Sequence, residues 1–111
     1  MTDNYVFVNN LADVRVDDGS ILSKTLQNDT HSKVIQFCFA PGQELSAHTA
    51  PFPATISIVR GEAELTLGAD RHQAGAGAFV YMPARLEHGI KAKTEVVMLL
   101  TMLKGAQAKA G

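Results

Sequence analysis

The stretch GAFVYMPARLEH, residues 77–88, is the most informative segment of this 111-residue chain. It begins at a turn-forming glycine, continues through an apolar run and ends at His88. A second segment, PGQELSAH at residues 41–48, also leads from a glycine, Gly42, to a histidine, His48. Side chains of a β-strand alternate between its two faces. If the two segments are neighbouring strands of one barrel, both imidazoles can therefore point into one pocket.

The rest of the chain predicts many short β-strands. Apolar and β-branched runs end repeatedly at glycine, proline, asparagine or aspartate, at intervals typical of a sandwich or small barrel. Only residues 9–13 suggest a helix. The predicted strands cover residues 20–27, 33–40, 54–60, 62–67, 71–74, 78–82, 88–92 and 95–104. We therefore predict an all-β fold.

Length and composition predict one globular domain over residues 1–111, because 46% of the residues are hydrophobic and 19% are charged. Its core spans about residues 20–104, between an N-terminal extension at 1–19 and a loose tail at 105–111. The net charge of −1, without a lysine or arginine cluster, argues against a nucleic-acid partner. Neither a signal peptide nor a membrane-spanning stretch is evident, so we predict no membrane partner and a cytoplasmic location.

The two glycine-to-histidine segments resemble the two sequence motifs of the cupin family. The first motif spaces a glycine, a His-any-His pair, a glutamate and a second glycine; the second spaces a glycine, Pro-any-Gly, a histidine and an asparagine. The matching residues are Gly42, His48 and Gly61 in the first motif and Gly77, Pro83 and His88 in the second. The resemblance covers about residues 20–104 and extends to small single-domain RmlC-like cupins of unassigned activity. It implies a double-stranded β-helix, the jelly-roll cupin barrel.

The sequence differs from the two motifs at several positions, including positions that provide metal ligands in the family. The second histidine and the glutamate of the first motif fall on Ala50 and Ala54, and the glycine and asparagine of the second fall on Arg85 and Ala92. Of four implied ligands, His48 and His88 remain, whereas catalytic zinc usually has three protein ligands and non-haem iron has two histidines and a carboxylate. The candidates for a third ligand are His72, Glu44, Glu64, Glu87 and Gln36, and no spacing argument selects one of them.

Strand alternation predicts the walls of the pocket. Ala54, Ile56 and Ile58 share one inward face, and His88, Ile90 and Ala92 share another. We predict an apolar ligand-binding pocket lined by Ala50, Ala54, Ile56, Ile58, Met82 and Ile90, with His48 and His88 as the groups that would act in catalysis. Burial among apolar walls would keep both imidazoles neutral. A divalent transition metal (zinc, iron, manganese or nickel) would be held weakly by these two imidazoles.

Three functions are compatible with this pocket. A module that binds a small-molecule ligand without chemistry requires least of the sequence, and we favour it. A metal-dependent cupin enzyme, such as a dioxygenase, isomerase or decarboxylase acting on a small polar substrate, lacks ligands. A metal-free isomerase using His48 or His88 as its base lacks an evident carboxylate to orient the imidazole. No residue pattern identifies the ligand or substrate.

Self-association is also predicted. Residues 5–8 and 96–103 are both apolar, and a barrel this small has difficulty burying both segments within one subunit. Exposed apolar strands favour pairing between chains. We therefore expect a homodimer.

Overall fold

Two antiparallel β-sheets form the barrel in the computed structural model of the protein, which describes residues 5–107. The five-stranded sheet has the order β1-β2-β9-β4-β7, and the four-stranded sheet has the order β3-β8-β5-β6. The strands are β1 (Ile21–Asn28), β2 (Ser32–Phe39), β3 (Glu44–His48), β4 (Ala54–Arg60), β5 (Ala63–Leu67), β6 (Asp70–Ala74), β7 (Phe79–Met82), β8 (His88–Ala92) and β9 (Val96–Leu103). The predicted all-β class and double-stranded β-helix architecture are confirmed.

One local prediction was wrong. Residues 9–13 form a turn, closed by a hydrogen bond from the Asp13 amide to the Asn10 carbonyl, because so short a segment cannot sustain a helix. Strand β9 continues into one helical turn, α1 (Lys104–Gln107), in which the Gly105 amide donates to the His31 carbonyl, and the looseness of the tail at 105–111 stays a prediction. Residues 108–111 of that tail lie outside the described residues. In the described part of the chain, no helix is long and apolar enough to cross a membrane.

The core lies between the inward faces of the two sheets. In β4, Ala54, Ile56 and Ile58 are buried and alternate with half-buried residues, as strand alternation predicts. In β8, Ile90 and Ala92 are buried on the inward face that also carries His88. The buried cluster consists of Phe39, Ala54, Ile56, Ile58, Ala63, Leu65, Met82, Ile90, Ala92, Val96 and Met98.

The end of the N-terminal extension is attached to the five-stranded sheet. The Gln36 side-chain amide in β2 donates to the Leu11 carbonyl at 2.6 Å. Arg60, at the end of β4, donates to the Val14 carbonyl at 3.0 Å and forms an ion pair with Glu95. These contacts tie the segment to two strands that are far from it in sequence. The extension is therefore part of the folded domain from about Leu11 onwards.

Only one of the two apolar segments expected to pair between chains is exposed. Strand β9 lies in the middle of its sheet, paired with β2 on one side and β4 on the other, so residues 96–103 are not an exposed strand. The N-terminal segment remains exposed: 77% of Tyr5 and 75% of Phe7 are accessible to solvent. Self-association stays a prediction, and it now depends on this segment.

Arg85 has a backbone conformation that disfavours any residue with a side chain. Its φ is 68°, in the left-handed region, at the position where the second motif has glycine. An L-residue there costs about 1–2 kcal/mol, partly offset by the greater chain entropy that glycine loses on folding. We expect Arg85→Gly to stabilise the protein by about 0.5–1 kcal/mol, raising Tm by about 3–6 °C. The control is Arg85→Ala, which removes the same side chain without relieving the φ strain. A glycine variant no more stable than the alanine variant would contradict this explanation.

Candidate functional site

A β-bulge brings the two predicted histidines face to face. Strands β3 and β8 pair with Leu45 opposite Ile90 and His48 opposite His88, so two residues of β3 oppose one residue of β8. Leu45 and His48 are three positions apart, and a regular strand would direct them to opposite faces. The extra residue restores the alternation, since both side chains line the same cavity.

Gly89 makes room for the bulge. A Cβ atom at this position would lie 3.0 Å from the Leu45 carbonyl oxygen and 3.1 Å from the Ala47 amide nitrogen, closer than ordinary van der Waals contact. Only glycine allows the two backbones to approach this closely without displacement. Gly89 is therefore a site residue that sequence analysis missed. Its position next to a motif histidine, in the middle of a predicted strand, was the available signal.

Both imidazoles are oriented in the same way. The His48 Nδ1 atom lies 2.9 Å from the Ser46 carbonyl oxygen, and the His88 Nδ1 atom lies 2.8 Å from the Leu86 carbonyl oxygen. A carbonyl only accepts, so each Nδ1 carries the hydrogen, and in the neutral ring each Nε2 keeps a lone pair. The ring centroids are 4.5 Å apart and the ring planes are inclined by 54°. The pair can thus offer two nitrogen acceptors or two metal ligands at one place.

The cavity at the histidines is small and mostly apolar. Its volume is about 60 Å³, well below the ≈ 300–1,000 Å³ typical of pockets for drug-sized ligands. His88 is half-buried, whereas His48 is exposed, so apolar walls do not enclose both rings as expected. His48 is exposed because β3 lies at the edge of its sheet, a position that strand alternation does not reveal. The lining residues are Phe37, Leu45, His48, Ile56, His88, Gly89, Ile90, Met98 and Leu100.

Four of the eight residues predicted for the site line this cavity: His48, His88, Ile56 and Ile90. Ala54, Ile58 and Met82 lie in the buried cluster but do not line the cavity, which contacts β4 only at Ile56. Ala50 lies in the loop after β3, where its carbonyl accepts the Arg85 amide at 2.8 Å. That the cavity is the functional site stays a prediction.

Five lining residues were missed by sequence analysis: Phe37, Leu45, Gly89, Met98 and Leu100. Phe37 lies on β2, and Met98 and Leu100 lie on β9. In the sheet, Met98 is opposite Phe37, and Leu100 is opposite Ile56. Alternation within each strand could have identified these residues as inward-facing. Their place beside the histidines depends on the strand order, which alternation does not reveal.

The residues present do not fit the complete metal centre of the family. Among residues 5–107, no three histidine, cysteine, aspartate or glutamate side chains come together as a metal site. His72 is exposed on β6 and lines a different groove, beside Phe79. Gln36 is engaged with the Leu11 carbonyl. His48 and His88 are thus left as a pair of nitrogen donors, which retains a divalent ion poorly.

Two titratable groups outside the cavity have altered pKa values. Burial raises the pKa of the Cys38 thiol, with the nearby Glu95 carboxylate adding to the effect, so Cys38 has little thiolate at neutral pH. Hydrogen bonds from the Ser32 and His31 backbone amides lower the pKa of the Asp29 carboxyl in the β1–β2 turn. Neither group lines the histidine cavity.

Comparison with known families agrees with this architecture. Residues 35–103, more than half of the chain, match the Cupin domain family. This chain belongs to the cupin family. Comparison with curated proteins finds no match.

Solved structures of other proteins share the whole barrel. An RmlC-like cupin from Desulfovibrio desulfuricans is 28% identical with a TM-score of 0.80, over 90% of this chain and 98% of that one. A conserved protein of unknown function from Streptococcus pyogenes is 27% identical with a TM-score of 0.73, over 92% and 97% of the two chains. An RmlC-like cupin with a double-stranded β-helix fold from Methanocaldococcus jannaschii has a TM-score of 0.75 at 18% identity, over 93% and 92%, and shows the fold alone. This cupin therefore keeps the family barrel and one histidine from each motif.

Proposed function

We propose that this cupin binds a small polar molecule in the cavity at His48 and His88, with the two Nε2 atoms as binding groups. One observation carries the proposal: each Nδ1 is engaged by a backbone carbonyl, which leaves each Nε2 as an acceptor at the cavity. The matching ligand presents a hydrogen-bond donor, such as a hydroxyl or ammonium group. Its remaining atoms are apolar, because most of the other cavity walls are aliphatic or aromatic.

The size of the cavity limits both the ligand and its affinity. A volume of about 60 Å³ admits only a few non-hydrogen atoms, unless a larger ligand extends outwards past the exposed His48. The best very small ligands gain about 1.5 kcal/mol per non-hydrogen atom. A three-atom ligand therefore binds with a dissociation constant no better than about 1 mM.

The test is a nuclear magnetic resonance titration of protein labelled with ¹³C at histidine. The probes are isopropanol and methylammonium, which carry a hydroxyl or an ammonium donor on otherwise apolar atoms. We expect the Cε1–H signals of His48 and His88 to shift together and to saturate with at least one probe. His72, on β6, serves as the internal control and should not shift. No saturable shift with any probe, or an equal shift at His72, would reject the proposal.

Matched variants test whether the probes bind at His48 and His88. His48→Ala and His88→Ala should each abolish the saturable shift of the remaining cavity histidine, because each variant removes one of the two acceptors. His72→Ala removes an exposed imidazole elsewhere on the barrel and should leave the titration unchanged. Retention of probe binding in both cavity variants would place the ligand elsewhere.

Weak retention of divalent metal is a separate expectation. With two imidazole ligands, the purified protein should contain much less than one zinc, iron, manganese or nickel ion per chain. Treatment with EDTA should remove what is present without changing Tm, whereas removal of a structural zinc usually unfolds a domain. The measurements are elemental analysis and thermal melting. The control is His48→Ala, which should contain less metal than the wild type. Stoichiometric metal that survives EDTA would show that a further ligand has been overlooked.

A metal-free isomerase is the second candidate, and the same Nδ1 hydrogen bonds favour it. These hydrogen bonds fix the tautomer in which Nε2 can act as the base. The backbone carbonyls thus orient the imidazoles, a role for which the sequence showed no evident carboxylate. The test is exchange of the methyl protons of pyruvate into deuterated water. Exchange that is faster with the wild type than with His88→Ala favours the isomerase. Binding without exchange favours the binding module.

A further inference from the structure

We infer that the outer face of the five-stranded sheet docks a second copy of this chain, so that two copies form a two-fold dimer by packing sheet against sheet. This face is opposite the core and the histidine cavity, so the dimer is independent of the proposed function. The exposed hydrophobic side chains mark the face. Within residues 5–107, the large hydrophobic residues that are exposed lie either at 5–8 or outward on this sheet: Tyr5, Val6, Phe7, Val8, Leu22, Phe79 and Tyr81.

Strand register places the exposed residues of the sheet on its outer face. In β7, Phe79 and Tyr81 alternate with Val80, which is opposite the buried Ile56 of β4. Side chains of a strand alternate between its faces, so both aromatic rings point outwards. Leu22, in β1, points outwards at the other edge of the same sheet. Apolar side chains are therefore exposed at both edges of one face.

The N-terminal extension covers only the β1–β2 side of this face. Its carbonyls within residues 11–14 accept hydrogen bonds from side chains of β2 and of the end of β4. Nearer the N-terminus, Tyr5, Val6 and Val8 line a groove together with residues of β1 and β2. Phe7 does not line that groove and is 75% exposed. The extension thus presents an aromatic side chain outwards, while β7 stays uncovered.

The absence of charge on this face favours a second copy over other partners. Residues 5–12 carry no charge, and Lys24, at the β1 edge, is the charged residue in the two outward rows that cross the sheet. Membranes and nucleic acids attract basic side chains, which these rows lack elsewhere, whereas a self-interface must avoid like charges. The other sheet has a charged outer row instead, Glu44, Lys91 and Glu64. The uncharged members of the two rows are Val34, Gln36, Leu99, Thr101, Thr55, Ser57, Phe79, Tyr81 and Gln27.

A two-fold axis parallel to β9 matches the covered side of one copy to the uncovered side of the other. Strand β9 is the third of the five strands in the sheet. When two such sheets pack face to face, rotation by 180° about an axis along the middle strand exchanges the two edges. The β1–β2 side of each copy then faces the β4–β7 side of its partner. Residues 5–8 of each copy therefore contact β7 of the other.

The exposed aromatic rings supply much of the area that a dimer needs. The four exposed aromatic residues, two in the extension and two in β7, are 55–77% accessible to solvent. An aromatic side chain buries about 150–250 Å² in total, so these four can bury about 500 Å² per copy. A standard interface buries about 800 Å² per partner. Because this area is at the lower end, we expect a dissociation constant of about 10 μM.

The experiment is sedimentation equilibrium of the full chain. The wild type should be mostly monomer at about 1 μM and mostly dimer at about 200 μM. Tyr81→Glu and Phe7→Lys should each weaken the dimer at least about a hundredfold, because each buries an unpaired charge at both equivalent contacts. The control is Thr66→Glu, which adds a charge opposite Arg71 on the outer face of the other sheet and should leave the dimer unchanged.

Folding of the variants is measured separately from association. Urea denaturation at about 1 μM, where the monomer prevails, reports the stability of each chain by itself. Exposed side chains contribute little to that quantity, so all three variants should unfold at nearly the same urea concentration as the wild type. A variant that is folded at about 1 μM and monomeric at about 200 μM has therefore lost the interface and not the barrel.

Mixing the two interface variants tests the two-fold arrangement. An equimolar mixture of Tyr81→Glu and Phe7→Lys should dimerise again, because one contact then pairs opposite charges and the other keeps the wild-type residues. A mixture that stays monomeric overturns the placement of residues 5–8 on β7. A monomeric wild type at about 200 μM, or equal weakening by Thr66→Glu, overturns the docking surface. If that monomer instead co-sediments with phosphatidylcholine–phosphatidylglycerol vesicles, the face binds lipid and not a second copy.

Discussion

Gly61→Ala is expected to destabilise the barrel by more than about 4 kcal/mol, which is exceptional for a single substitution, and to lower Tm by about 15–30 °C. Gly61 connects β4 to β5 with a φ of 93°, which L-residues rarely adopt. The added Cβ would also lie only 2.1 Å from the Glu95 carbonyl oxygen and 3.0 Å from the Thr94 hydroxyl oxygen. Backbone rather than a flexible side chain blocks the Cβ, so relief requires movement of the loop before β9.

Gly77→Ala is the matched control for this effect. Gly77 has almost the same φ, 95°, but a Cβ atom there would meet nothing within 4 Å. This variant therefore pays only the conformational cost, about 1–2 kcal/mol. The difference between the two free energies of unfolding, measured with urea, isolates the close approach at Gly61. Equal losses in the two variants would show that φ strain alone explains both glycines.

The local signals in the sequence were sufficient to predict the all-β class, whereas the double-stranded β-helix was implied by the resemblance to the cupin motifs. Turn glycines, such as Gly61 and Gly77, and apolar alternation between them act over a few residues, and they identified eight of the nine strands found in residues 5–107. Strand β3 was not among the predicted strands. Its residues are mostly exposed and only Leu45 is apolar before His48, so alternation gave no signal there.

The site was predicted only in part, because its assembly depends on pairing between distant strands. The motif match led to the expectation that His48 and His88 face each other in one pocket, and the structure brings their rings together. The bulge that aligns their side chains, and Gly89 that accommodates it, arise from the register between β3 and β8. Sequence periodicity within one strand carries no information about register.

The position of β9 explains most of the remaining differences between the predictions from the sequence and the structure. This last strand inserts between β2 and β4, so Met98 reaches the cavity and residues 96–103 are not exposed for pairing with a second chain. A jelly-roll order of this kind is a non-local property of the chain. The hydrogen bonds from Gln36 and Arg60 to the N-terminal extension are non-local in the same sense.

Phe39→Ala is expected to cost about 3–5 kcal/mol, a large part of the stability of a small domain. Phe39 is fully buried, at 0% exposure, in the cluster between the two sheets. Its ring also stacks with that of Phe37, with centroids 6.0 Å apart and an interplanar angle of 23°. Truncation removes the buried ring and leaves a cavity that the surrounding strands can close only in part.

Two other phenylalanines make this prediction specific. Phe79 on β7 is 65% exposed, and Phe79→Ala should change the free energy of unfolding by no more than about 0.5 kcal/mol. Phe37 is half-buried and lines the histidine cavity, so Phe37→Ala should give an intermediate loss. Urea denaturation of the three variants tests the order. A loss in Phe37→Ala as large as that in Phe39→Ala would mean that the cavity walls, and not the cluster beneath them, hold the sheets together.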